Sequence, residues 1–201
     1  MEDQNSNRPL YDHVSRLRLT LKAWPVIAIA TIGLCYLTQT VAKWFGVELP
    51  DQQNIEIVRR CGLHAFDSLK NFGVFASLCA QVLVLLPAIE ELIFRGALFK
   101  LPLRKMGKRV TADRQQPADG TDRGAEHGAA PAVAAILSSA TFSAAHYLAQ
   151  PWPDAAFVAL FFFGLAQCWL YRKTDRIWCV MLNHGLFNLT NLVLLFILPE
   201  A

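Results

Sequence analysis

The chain has 201 residues, of which 54% are hydrophobic and only 17% charged, against about 25% charged in a typical soluble domain. A net charge of +3, with no basic patch interleaved with stacking aromatics, argues against a nucleic-acid partner. The charges are also clumped: residues 23–42, 71–89, 128–153, 155–171 and 177–199 contain no Asp, Glu, Lys or Arg. A helix needs about 20 apolar residues to cross the hydrocarbon layer. The predicted fold class is therefore all-α, a polytopic membrane helix bundle of about five transmembrane helices with an interfacial helix beside them.

In chain order, a polar N-terminal segment at 1–22 precedes a membrane-embedded domain at 23–199. The first helix is expected at about 23–43. In the connecting segment, Ile55, Val58, Gly62, Phe66 and Leu69 recur at helical spacing, which predicts an amphipathic helix on the bilayer surface. The second helix, at about 71–99, would be about 43 Å long and project beyond the hydrocarbon core, with a bend at Pro87. Residues 100–130 carry Pro117, Gly120, Gly124 and Gly128 and read as a flexible cytoplasmic loop. Further helices follow at about 131–149, 154–171 and 177–198, the first two joined by Pro151-Trp152-Pro153 with an interfacial Trp. With the N-terminus inside, segments 1–22, 100–130 and 172–176 hold 4, 7 and 3 basic residues, while the outer segments hold only Lys43, Arg59, Arg60 and Lys70. The bias predicts a cytoplasmic N-terminus and an external C-terminus. Five cysteines, Cys35, Cys61, Cys79, Cys168 and Cys179, form no CxxC pair and read as small buried hydrophobes.

Three sites break the apolar pattern with groups that are costly in a membrane and usually functional there. In Glu90-Glu91-Leu92-Ile93-Phe94-Arg95, Glu91 and Arg95 are four apart and can pair on one helix face. Glu90, turned about 100° away, has no local partner and is free to serve as a general base. In Phe142-Ser143-Ala144-Ala145-His146, Phe142 and His146 share a face. In Asn183-His184-Gly185-Leu186-Phe187-Asn188, His184 and Asn188 share a face, with Asn191 further along. Read singly, the three also fit interhelical ion pairs, a satisfied core histidine and polar contacts between helices. Read together, they hold what peptide hydrolysis requires: a carboxylate and a His to activate water, and a His and an Asn to donate to an oxyanion. Ser138, Ser139 and Ser143 read as helix-packing residues, and HExxH is absent.

Glu90-Glu91-x-x-x-Arg95, Phe142-x-x-x-His146 and His184-x-x-x-Asn188, together with Glu-Glu-Leu-Ile-Phe-Arg-Gly and Phe163-Gly164-Leu165 before the Tyr171-Arg172-Lys173-Thr174 turn, resemble the motifs of the CAAX prenyl protease and bacteriocin-processing (CPBP, or Abi) family of intramembrane peptidases. The resemblance covers about residues 80–195. It implies an intramembrane endopeptidase acting on a membrane-associated protein or peptide, in a bacterial cytoplasmic membrane. Glu90 and His146 would activate water, and His184 and Asn188 would form the oxyanion hole. Glu91, Arg95 and Phe142 would support them. No cofactor is expected; the alternative is a divalent metal such as zinc on Glu90, His146 and His184, a donor set zinc accepts. A homodimer could cover the flanks of so small a bundle. The competing readings are a non-catalytic immunity or partner-binding protein on the same scaffold and a small proton-relay transporter, the latter disfavoured because no inverted repeat is present.

Overall fold

The computed structural model describes residues 8–47, 49, 53–101, 126–148 and 156–198, and among these every regular element is a helix. Six helices follow in order: α1 (Arg8–Trp44), α2 (Gln53–Leu63), α3 (Leu69–Lys100), α4 (Glu126–Leu148), α5 (Ala156–Thr174) and α6 (Ile177–Ile197). Stretches Asp12–Trp44, Leu69–Lys100 and Ile177–Ile197 are long and apolar enough to cross a membrane. Each of the five apolar runs lies mainly in a helix, and α4 and α5 hold theirs without meeting that criterion among the described residues. Large apolar side chains such as Ile29, Leu37, Val84, Ile89 and Leu92 stand on the outside of the bundle, as they do where the surrounding solvent is lipid.

Helix α1 starts 15 residues before the expected position at residue 23. The polar segment ahead of the apolar run contains no glycine between Arg8 and Lys22. It also ties its own turns together: Arg16 pairs with Asp12 at 2.7 Å, and Thr20 Oγ1 donates to the Arg16 carbonyl at 2.9 Å. Thr20, Ala23, Ile27 and Thr31 form its buried stripe. Helix α2 forms where amphipathic spacing predicts it, but the stripe does not continue through Phe66 and Leu69. The chain turns at residues 64–67, where Ala65 is buried and Phe66 exposed. Ser68 then caps α3 by accepting from the Asn71 amide at 3.1 Å, so a capping signal ends the run that spacing alone extends.

Helix α3 is not regular. Wide π-type turns occupy Gln81–Leu85 and Leu92–Lys100, with an α-helical segment, Leu86–Glu91, between them. Helices α4 and α5 are antiparallel neighbours: Gly164 lies so close to Ser139 that a Cβ on it would come within 2.9 Å of the serine Cβ. Ser143 Oγ donates to the Phe157 carbonyl at 2.6 Å. Ser138 Oγ ties α4 to α3 by donating to the Phe94 carbonyl at 2.7 Å, so these serines do act as packing residues. Asp175, in a left-handed conformation at φ 50°, reverses the chain between α5 and α6. Helix α1 closes the bundle against α5 and α6, with Trp24 Nε1 donating to Thr190 Oγ1 at 3.1 Å. The core runs through Phe94, Phe99, Phe142, Phe163, Leu170 and Phe187. Cys168 and Cys179 are buried, as expected; Cys35, Cys61 and Cys79 are only half-buried. Most of the 100–130 loop and the Pro151-Trp152-Pro153 connection lie outside the described residues.

Candidate active site

Proline explains how α3 presents its polar cluster. Pro87 has no N–H, and in the wide turn, where the Leu86 N–H reaches the Gln81 carbonyl, the next carbonyl in line, on Val82, receives no backbone donor from Pro87. That carbonyl is answered from α6. Asn188 Nδ2 donates to the Val82 carbonyl at 2.8 Å. Gly185 gives the Leu83 carbonyl room, since a Cβ there would sit 2.4 Å from that oxygen. The π-type turns on either side of Leu86–Glu91 are of the kind that often accompany functional sites.

Glu91 and Arg95 are fully buried, with Arg95 Nη1 donating to Glu91 Oε1 at 3.1 Å. Arg95 Nε and Glu91 Oε2 also lie 3.1 Å apart, as an ion pair misaligned for a hydrogen bond. Arg95 Nη2 reaches across to the Gly164 carbonyl of α5 at 3.2 Å, and its guanidinium lies 4.6 Å over the centroid of Phe142. His184 Nδ1 donates to Glu91 Oε1 at 2.8 Å. Because a carboxylate only accepts, this fixes the ring with Nδ1 protonated and Nε2 facing away, 3.6 Å from Glu90 Oε2. His146 is set in the same manner by the Phe142 carbonyl, 3.0 Å from its Nδ1, which leaves Nε2 3.9 Å from Glu90 Oε1.

Glu90 thus stands between two imidazoles carried by two other helices. Its side chain is 24% exposed and that of His146 33%, so the pair is reachable, whereas Glu91 and Arg95 are sealed. Phe142 packs 4.6 Å from His146 and 5.9 Å from His184, and Phe163 lies 5.0 Å from His184, centroid to centroid. These rings form an apolar wall behind the polar groups.

Glu90, Glu91, Arg95, Phe142, His146 and His184 therefore share one site. Asn188 is one turn from His184, with one amide hydrogen committed to Val82. Asn191 bonds only the Phe187 carbonyl of its own helix, at 3.0 Å. The Gly164 and Val82 carbonyls carry no side-chain signal; only the missing N–H of Pro87 could have pointed to the latter. Among the described residues, no three His, Cys, Asp or Glu side chains are arranged to hold a metal ion. The Glu90, His146 and His184 donor types would suit zinc, and the two Nε2 atoms lie 3.9 and 3.6 Å from the Glu90 oxygens.

Residues 72–190 match the family model for type II CAAX prenyl endopeptidases, Rce1-like. No curated protein and no solved structure matches the chain. The matched stretch holds every residue of the Glu/His cluster, and three apolar helices long enough to cross a bilayer accompany it in an integral membrane protein. More than half of the chain thus falls within one family of membrane proteases, and the protein belongs to the type II CAAX prenyl endopeptidase family, Rce1-like.

Proposed function

We propose that the protein is an intramembrane endopeptidase that hydrolyses a peptide bond in a membrane-associated protein or peptide. The observation that carries this reading is the position of Glu90, half-open to its surroundings between two imidazoles whose free nitrogens lie 3.9 and 3.6 Å from its oxygens. Those separations are too long for direct hydrogen bonds, and one water can touch the carboxylate and an imidazole together. Glu90 takes a proton from that water while His146 orients it, and the oxygen attacks the scissile carbonyl carbon. His184, once its Nε2 carries a proton, and the uncommitted amide hydrogen of Asn188 donate to the resulting oxyanion. The proton passes to the leaving amine as the C–N bond breaks.

Glu90→Gln and His146→Ala should each reduce cleavage by about 10²–10⁴-fold, the usual contribution of a positioned acid–base group, in protein that purifies and unfolds like wild type. Normal processing by Glu90→Gln would remove the assigned role and favour a non-catalytic immunity or partner-binding scaffold. The reading uses no metal, and cleavage by protein stripped with a chelator should persist; loss on stripping and recovery with zinc would replace it with a metal mechanism. The proposed location is a bacterial cytoplasmic membrane, with the N-terminus in the cytoplasm.

A further inference from the structure

Behind the Glu/His cluster lies a second set of buried polar atoms. Gly164, Gln167 and Tyr171 fall on one face of α5. Asn183 Nδ2 donates to the Thr20 carbonyl at 3.3 Å, so its Oδ1 is left to accept from Gln167 Nε2 at 3.0 Å. That order of donors fixes the Gln167 amide and leaves its Oε1, in a fully buried side chain, without a partner among the described residues. Tyr171, 4% exposed, has a hydroxyl that is equally unpaired among the described residues, with its ring against Phe99 and Lys100 Nζ 5.6 Å from the ring centroid. Ser139 Oγ lies buried beside Gly164. On α1, Arg16 Nη1 is buried and unpaired although the side chain as a whole is 20% exposed.

Helix α5 links part of this set. Arg95 binds the Gly164 carbonyl; Gln167 is one helical turn further along α5 and Tyr171 the next, about 10 Å from Gly164 in all. Gln167 continues through Asn183 to Thr20, whose hydroxyl returns to the Arg16 carbonyl. The line leads from the buried side of the site to the end of the bundle where α5 stops and α6 starts. Buried polar atoms are nearly always paired with protein or with ordered water, and a buried water characteristically bridges two to four such groups. The open side of Glu90, by contrast, is flanked on α3 by exposed Leu86, Ile89 and Ile93, a surface that meets lipid.

We propose that this line binds a file of ordered water molecules and feeds the site the water that each hydrolysis consumes. The supply role rests on the hydrolase reading. One water enters per turnover: its hydroxyl joins the acyl carbon, its remaining hydrogen joins the amine, and the C–N bond breaks.

Hydroxyl-radical footprinting of the full chain in lipid nanodiscs reads the bound water directly. Tyr171 should be oxidised severalfold faster than Phe163, although both are buried, and Gln167→Leu should bring Tyr171 down to the Phe163 rate. Tyr171→Phe is the clean kinetic variant, since it removes a hydroxyl that bonds no group among the described residues. It should lower kcat by about tenfold, the rate equivalent of one lost hydrogen bond, with KM unchanged. A dry core would give the opposite result: Tyr171 as slow as Phe163, and a Tyr171→Phe variant that is more stable with kcat unaltered. Glu90→Gln should keep the wild-type footprint. Slow labelling in an active enzyme overturns this proposal alone. Fast labelling in a wild-type protein that cleaves nothing overturns the supply role by way of the hydrolase reading.

Discussion

Glu90 and Glu91 are adjacent in the chain and opposite in circumstance. A turn of about 100° between neighbours sends Glu91 into the bundle, onto Arg95 and His184, and leaves Glu90 partly open between His146 and His184. The Glu91–Arg95 pair was legible from its spacing. The contact of Glu91 with His184 was not, because it joins α3 to α6 over 93 residues of sequence. Removing one partner of a buried ion pair strands the other charge. Arg95→Met should therefore cost about 3–5 kcal/mol, while replacing both partners with uncharged residues of similar volume should cost much less. Reversible unfolding in mixed micelles would compare Arg95→Met with Glu91→Gln/Arg95→Met; equal losses would show that the pair is not the source of the effect.

At the scale of elements, α3 and α6 meet through exposed backbone rather than through side chains alone. Asn188 supplies the donor that the Val82 carbonyl upstream of Pro87 needs, and Gly185 gives the neighbouring Leu83 carbonyl room. Gly185→Ala should push α6 away from α3, lowering stability by about 1–3 kcal/mol and cleavage with it. Gly33→Ala, on an α1 face where an added Cβ meets nothing within 4 Å, should leave cleavage unchanged and raise stability by about 0.5–1 kcal/mol, the gain of Ala over Gly inside a helix. Thermal inactivation of the two variants side by side would test the contrast. Sequence also posed a problem of depth here. With helix bounds at 131 and 177, His146 falls 15 residues into its helix and His184 only seven, yet both must reach Glu90. Helix α4 begins earlier, at Glu126, and His146 lies near its far end at Leu148. The two imidazoles converge because α4 is staggered along the bundle relative to α6.

For the whole molecule, the distribution of Lys and Arg predicts a cytoplasmic N-terminus and an external C-terminus. Reporter fusions at Met1 and Ala201 should report opposite sides of the membrane; the same side for both would mean an even number of crossings and a different topology. The same orientation places the end of the bundle containing Lys100, Thr174 and Ile177 toward the cytoplasm. That is the end from which the polar line through Gln167 and Tyr171 starts.

The sequence by itself determined the all-α membrane class, the family resemblance and the three motifs, because apolar runs and residues four apart report local helix geometry directly. Only the tertiary structure decided which charges are sealed and which are open, and that Asn188 answers a backbone carbonyl as well as standing near His184. It also decided how far α1 and α4 extend beyond their apolar runs. Those outcomes depend on contacts between helices distant in sequence, where packing, capping and the missing proline N–H override periodicity.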